Sequence, residues 1–197
     1  YDVDIILDVP DTEIKNIADH TKNIHVYSQH MDSLPVGRGM GRTLPEALKA
    51  AGAVGVMLNH AEHKLTLPEI AEAIKRADEV GLATMVCADS VEEVEAVARL
   101  SPNILVAEPT ELIGTGRPAG REYVDSVIRC IREINPEIKP FPSAGISKGE
   151  DCYNIVKAGS PASGCSSAIA KAENPLRLAE EMIASVRRAW DEIHQGA

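Results

Sequence analysis

The chain has 197 residues, of which 44% are hydrophobic and 25% are charged, and its formal net charge is −10. This length is typical of one domain that buries a core without disulfides or a metal. The negative charge disfavours nucleic acid and anionic lipid as partners, and no apolar run approaches the roughly 20 residues that a membrane-spanning helix needs.

Short apolar segments rich in Val, Ile and Leu alternate with longer amphipathic segments along the chain. This alternation is typical of strands that are buried on both faces and joined by crossover helices. In chain order, the predicted strands are Asp4–Val9, His25–Gln29, Val54–Asn59, Ala83–Ala88, Asn103–Glu108, Lys139–Ala144 and Ser163–Ile169.

Capping residues predict where several helices begin. Thr43 and Thr66 each precede a Leu-Pro-Glu sequence, in which a side-chain oxygen stands before a proline whose missing N–H costs nothing in the first turn. The segment Asp89–Glu93 offers capping oxygens followed by first-turn acids. The segment Leu67–Gly81 places its apolar residues on one face, and Gly81 suits a left-handed helix end.

The repeated strand–helix units, roughly 20 to 35 residues long, predict an α/β fold in a single domain over residues 1–197. An open doubly wound sheet and a closed (β/α)8 TIM barrel both fit this pattern. The segment Gly37–Gly41 lacks the glycine spacing of a dinucleotide-binding turn. Because the barrel closes with eight strands, we expect the seven segments to be strands 2 to 8, with the first βα unit missing from this chain.

The four cysteines are widely spaced and form no CxxC pair, and two of them fall in predicted strands. Free thiols in a reducing cytoplasm are therefore expected rather than disulfides. These residues are Cys87, Cys130, Cys152 and Cys165.

The third predicted strand leads into His60. Because active sites in βα barrels lie at the C-terminal ends of the strands, a histidine there can donate a proton to a carbonyl. A structural histidine that bonds backbone groups explains His60 alone equally well. His63 could pair with His60 on a metal, but two histidines without a third ligand predict neither a metal nor another cofactor.

An acid, Glu108, directly follows the apolar residues of the fifth predicted strand. Burying it ionised is costly unless function or pairing requires it. Pro109 then ends the strand, and the glycines of the segment Ile113–Gly116 let backbone N–H groups approach a phosphate. A base, a proline and a glycine-containing lid this close together predict an active-site segment, with a capping Glu in a surface loop as the alternative.

Small residues end the last two predicted strands, in the segments Ser143–Ser147 and Cys165–Ala168. Loops after strands seven and eight commonly bind phosphate in these barrels. Tight barrel packing also explains small residues, but beside the Glu108 segment phosphate binding is favoured.

The sequence resembles the triosephosphate isomerase family, particularly its shorter archaeal members, over nearly its whole length. The resemblance rests on motifs in matching order and spacing, Tyr27–Asp32, Leu58–Glu62, Ala107–Gly116 and Ala144–Asp151. It implies a cytoplasmic barrel enzyme of glycolysis and gluconeogenesis that interconverts dihydroxyacetone phosphate and glyceraldehyde 3-phosphate through an enediolate. It also implies a sugar-phosphate substrate, no cofactor, and a homo-oligomer, either a dimer or a tetramer.

The resemblance also implies residue roles. At the matching positions, Glu108 transfers the proton, His60 polarises the carbonyl as a neutral electrophile, and Glu62 assists His60. The residues expected to contact phosphate through backbone N–H groups are Gly114, Ser147, Ser166 and Ser167. The lid is expected to comprise Ile113, Gly114, Thr115 and Gly116.

Some positions depart from the family's pattern. The family's first-strand Asn-x-Lys motif has no counterpart in this chain, and the other departures are at Met40, Ala61, His63, Ser143 and Ala168. They leave two alternative functions open. One is an isomerase of a related sugar phosphate, and the other is a catalytically silent barrel that acts as a binding or assembly module.

Overall fold

The computed structural model describes residues 2–143 and 145–195, which divide into two compact units. The first unit comprises Asp4–Cys87 and Arg99–Ile104. The second comprises the described residues of Tyr1–Val3, Ala88–Ala98 and Leu105–Ala197.

Parallel strands form the framework of the first unit. They are neighbours in chain order, and the register sets Asp8 beside Tyr27 and Gly55 beside both Tyr27 and Ala83. The strands are β1 (Ile5–Val9), β2 (Ile24–Ser28), β3 (Gly55–Leu58) and β4 (Ala83–Ala88). The helices between them are α1 (Asp11–His20), α2 (Pro45–Ala51) and α3 (Leu67–Val80).

Helix α3 begins and ends as its sequence predicts. The Glu69 carboxylate accepts hydrogen bonds from the backbone N–H and the hydroxyl of Thr66, both at 2.7 Å, and Gly81 ends the helix with a φ of 73°. The predicted capping of α2 by Thr43 is wrong. Leu44 occupies the cap position. The Thr43 hydroxyl instead donates to Asp11 Oδ2 at 3.0 Å, so this side chain makes a tertiary contact and does not cap the helix.

The second unit contains the neighbouring strands β5 (Ile104–Ala107) and β6 (Lys139–Pro142). A hydrophobic core joins α5, α6 and α8 and includes Val124, Ile128, Ile155 and Met182. The helices of this unit are η1 (Thr110–Leu112, a 3₁₀ helix), α4 (Val91–Ala98), α5 (Arg121–Ile134), α6 (Gly149–Lys157), α7 (Ser167–Ala170) and α8 (Pro175–His194).

The predicted seventh strand, Ser163–Ile169, is wrong, because this segment is irregular backbone followed by α7. The N–H of Ser143 donates to Ala107 O on β5, and N–H groups alternate sides along a strand, so positions 140 and 142 face the opposite edge of β6. Both positions are proline, which cannot donate to a ladder. The Ser160 hydroxyl bonds Pro140 O at 2.8 Å in place of a backbone partner.

The remaining predicted strands are confirmed within one or two residues at each end, although Ala144, the last residue of the sixth, lies outside the described residues. All four cysteines are free thiols, as predicted, with Cys87 and Cys152 buried and Cys130 and Cys165 half-buried. Across residues 2–143 and 145–195, no helix is both long and apolar enough to cross a membrane.

Candidate active site

A buried asparagine organises the segment that carries His60 in the first unit. Asn59 directly follows β3 and has a φ of 59° in the left-handed region, which asparagine tolerates better than most residues. Its side-chain amide donates to Cys87 O at 2.8 Å, and its Oδ1 accepts from the Leu65 N–H at 2.8 Å. Asn59 therefore fixes both ends of residues 60–65, which we call the His60 loop.

Two groups of Glu62 approach the imidazole of His60, which is half-buried. The Glu62 backbone N–H donates to Nδ1 at 3.3 Å, whereas the Glu62 carboxylate lies 3.6 Å from Nδ1, is 90% exposed and is beyond hydrogen-bond length. Where Nδ1 accepts this bond, the neutral form of the imidazole carries its proton on Nε2. This tautomer can donate a hydrogen bond to a carbonyl.

Glu108 lies in the second unit, immediately after the four buried residues of β5. Its backbone N–H donates to Ala88 O at 2.8 Å, a bond within the second unit. The residue is half-buried and the following Pro109 is buried. The backbone of Glu108 is therefore fixed at the end of β5, and this determines where its side chain begins.

Most residues between Thr110 and Gly116 are exposed, and hydrogen bonds within the segment hold it. Gly114 and Gly116 have φ values of 71° and 69°, which suit glycine. The N–H and hydroxyl of Thr115, at 3.2 and 2.8 Å, both donate to Leu112 O. Residues 113–116 themselves are exposed to solvent.

A close backbone contact holds the chain just after this segment. A Cβ at Gly145, where φ is 68°, would lie 1.8 Å from Arg117 O. Only glycine therefore fits there without moving the backbone. This contact joins the end of the glycine-containing segment to the loop that follows β6.

Carboxylates hold the N–H groups at the start of α6. The N–H groups of Ser147 and Lys148 donate to Asp151 Oδ2 at 2.9 and 3.2 Å, and the Gly149 N–H donates to Glu181 Oε1 at 2.9 Å. An anion that used the Ser147 N–H would have to displace Asp151. Acids at a helix start are themselves stabilising, because that end of the helix is electropositive.

The two remaining predicted phosphate residues lie at the start of α7. Ser166 is exposed and precedes the helix, and Ser167, which is half-buried, is its first residue. The carbonyl groups of Ser166 and Ser167 accept bonds from the N–H groups of Ala170 and Lys171 at 3.1 and 3.0 Å.

Sequence reasoning missed a half-buried tyrosine near Glu108, whose hydroxyl is buried. The hydroxyl of Tyr123, in the first turn of α5, is buried and has no hydrogen-bond partner among the described residues. Burial raises its pKa to about 12, and nearby carboxylates, chiefly those of Asp89 and Glu111 and then that of Glu108, add to this effect. No motif in the sequence marks Tyr123, because the acids around it come from separate parts of the chain.

The structure brings together the predicted residues within each unit. His60 and Glu62 share one loop of the first unit, and Glu108 and residues 113–116 share one segment of the second. Among the described residues, no group of three His, Cys, Asp or Glu side chains is arranged to hold a metal. A parallel βα framework whose strands lead into a histidine and a glutamate defines a class of βα enzymes whose sites lie at the strand ends.

Comparison with known proteins identifies the family. The profile of the family described as Triosephosphate isomerase matches residues 1–143. A triosephosphate isomerase of Sulfurisphaera tokodaii is 40% identical over 193 residues, which cover 97% of this chain and 84% of the relative. The corresponding identities are 38% for Methanobacterium bryantii, covering 93% of this chain and 82% of the relative, and 37% for Saccharolobus solfataricus, covering 96% and 84%. The chain belongs to the triosephosphate isomerase family, which confirms the resemblance seen in its motifs.

Proposed function

We propose that this protein is an intramolecular oxidoreductase that interconverts dihydroxyacetone phosphate and glyceraldehyde 3-phosphate. The observation that carries the proposal is Glu108 at the end of a buried strand, followed by the motif Glu111–Gly116, in a chain 40% identical to a triosephosphate isomerase. The names of the relatives support the same isomerase class.

In this proposal, Glu108 removes a proton from the carbon next to the substrate carbonyl. His60 donates a hydrogen bond from Nε2 to the carbonyl oxygen, on which negative charge develops in the enediolate. Glu108 then returns the proton to the neighbouring carbon, so the reaction needs no net proton, electron or cofactor. Glu62 assists by bonding Nδ1 of His60 through its backbone N–H, which keeps the proton on Nε2.

The proposed phosphate contacts come from backbone N–H groups in three loops. They belong to Gly114, Ser147, Ser166 and Ser167. The Ser147 contact requires that Asp151 release the Ser147 N–H, which it accepts at 2.9 Å. Closure of the lid, residues 113–116, is proposed to exclude water from the enediolate.

We also propose the finer architecture that the family implies. A single domain with the (β/α)8 framework of the family, whose first βα unit lies outside residues 1–197, agrees with relatives that extend beyond the aligned region, although the segment expected to be the last strand forms no strand here. Assembly as a homo-oligomer is supported by Val36 and Met40, which are 70% and 103% exposed in one loop. We place the enzyme in the cytoplasm, where its phosphorylated sugar substrates would be.

Replacing Glu108 with glutamine tests the proposed base. The variant keeps the shape of the side chain and loses the proton acceptor, so we expect kcat to fall by about 10²- to 10⁴-fold, the usual contribution of a general base. The assay is isomerisation of glyceraldehyde 3-phosphate by the full-length protein. The matched control is Glu122→Gln, an exposed acid in the first turn of α5, and an E108Q variant as fast as the parent would exclude Glu108 as the base.

A related sugar phosphate is the second candidate substrate. It is favoured by Met40, Ala61 and Ala168, which depart from the family's pattern. Comparing kcat/KM across three- to five-carbon aldose and ketose phosphates separates the two substrates. If a phosphoglycolate-type transition-state analogue fails to bind, the protein is instead a silent barrel with a binding or assembly role.

A further inference from the structure

The turn that carries His60 packs against a second histidine in the first unit. Inside the His60 loop, the His63 N–H donates to His60 O at 2.8 Å, which closes a tight turn. The imidazole of His63 stacks on that of His30, with the ring centroids 3.9 Å apart and the planes inclined by 26°. Asn59 fixes the ends of the loop, and this stack holds its middle.

Hydrogen bonds fix the position of His30 near the end of β2. It follows β2 by two residues, and its carbonyl oxygen lies 2.7 Å from the hydroxyl of the buried Ser28. Its Nε2 lies 3.8 Å from Asp32 Oδ1. Asp32 is itself held by Arg42 Nη1 at 2.9 Å and by the Thr43 N–H at 2.7 Å. A ring stacked on His30 is therefore tied to a network of hydrogen bonds at the end of β2.

We propose that His63 is a positioning residue, whose ring stacks on His30 and holds the turn that presents His60. The inference rests on the proposed role of His60. It assigns that turn a pH-dependent support, because protonation of both rings would place two cations in contact.

The charged groups around the two rings determine the pH at which the stacking of His63 on His30 weakens. Burial lowers the pKa of His30, and the neighbouring His63 lowers it further, while the carboxylates of Asp32 and Asp11 oppose both effects. Arg42 offsets part of the Asp32 charge, because it is paired with that carboxylate. His30 therefore stays neutral to a lower pH than an ordinary histidine, and the stack persists at neutral pH. Acidification through the lowered pKa of His30 charges that ring and weakens the stack.

Two replacements of His63 separate packing from titration. His63→Ala removes the ring, and we expect kcat to fall about tenfold or more with KM within about twofold, because small displacements of a catalytic group are costly. His63→Phe keeps a flat ring that cannot be protonated. It is expected to restore kcat at neutral pH and to extend activity further to the acid side than in the parent.

A second stacked histidine provides the matched control. His194 stacks on Trp190 in α8 with the same centroid separation of 3.9 Å, and it is an exposed residue at the C-terminal end of that helix in the second unit. His194→Phe should leave kcat and its pH profile unchanged. If His63→Ala and His194→Phe behave alike, or if His63→Phe keeps the parent's acid limb, the inference is overturned.

Imidazole ¹⁵N NMR of the full-length protein tests the stack without activity. In the parent, His60 should show the Nε2–H tautomer, and in His63→Ala it should show a mixture of tautomers. In His63→Phe, the pKa of His30 should rise, because the lowering effect of His63 is removed. These signatures in an inactive parent would refute the proposed function but keep the coupling of the rings. Their absence in an active parent would refute the positioning role alone.

Discussion

Replacing Asp8 with asparagine is expected to stabilise the chain by an amount that grows with pH. Asp8 lies on β1, paired in register with Tyr27. Its Oδ1 is buried and has no hydrogen-bond partner within the part of the chain that the structure describes. Burial therefore raises its pKa from 3.8 to about 7, because the charged form loses its water without gaining a partner.

The size of the effect follows from the difference between the folded and unfolded pKa. The folded chain keeps the Asp8 proton up to about pH 7, whereas the unfolded chain releases it near pH 4. Between these values the folded state binds more protons, so stability falls as pH rises. Each unit of difference between the folded and unfolded pKa corresponds to about 1.4 kcal/mol. The parent's free energy of unfolding is therefore lower by about 4 kcal/mol at pH 8 than at pH values where Asp8 is protonated in both states.

Asparagine has the shape of the protonated acid and does not titrate. The free energies of unfolding of the parent and Asp8→Asn should therefore be similar at pH 4, and the variant should be more stable by about 4 kcal/mol at pH 8. Urea denaturation at five pH values measures this difference. Asp19→Asn, an exposed acid paired with Lys15 in α1, is the control and should change stability by less than about 1 kcal/mol. A difference that does not change with pH would refute the reasoning.

Three further substitutions test packing in the second unit and the cap of α3. Gly145→Ala should cost more than about 3 kcal/mol of unfolding free energy, because its Cβ would meet the Arg117 carbonyl. Gly81→Ala, with a similar φ but no atom nearer than 3.7 Å, should cost only about 1 to 2 kcal/mol, and equal losses in urea denaturation would contradict this. Tyr123→Phe should raise stability by about 1 kcal/mol in the same assay, because it removes a buried hydroxyl without a partner, and a clear loss would show that the hydroxyl is bonded.

Much of the secondary structure could be predicted from short segments of the sequence. The strands from β1 to β6 follow from apolar runs, and the ends of α3 follow from Thr66 and Gly81, because capping depends on residues close in sequence. The wrong seventh strand had a visible signal. Pro140 and Pro142 remove the donors from one edge of β6, but their effect depends on which edge a neighbour would use, and that is a property of the assembled sheet.

Only part of the candidate site could be predicted from the sequence. The motifs around His60 and Glu108 identified the family, because the order and spacing of these residues can be compared directly in the sequence. The catalytic roles of His60, Glu62 and Glu108, and the phosphate contacts of Gly114 and the three serines, stay predictions. The bond from the Gly149 N–H to Glu181 could not be foreseen, because Glu181 belongs to a helix that is distant in the sequence.

The sequence by itself determined the alternation of strands and helices, the family and the identity of the candidate base, since these depend on local composition and on ordered motifs. Only the tertiary structure decided that His63 stacks on His30, that one oxygen of Asp8 is buried without a partner, and that Tyr123 lies among acids. Each of these is a contact or an environment made by residues far apart in the chain. Their energies depend on burial and distance, which exist only once the chain has folded.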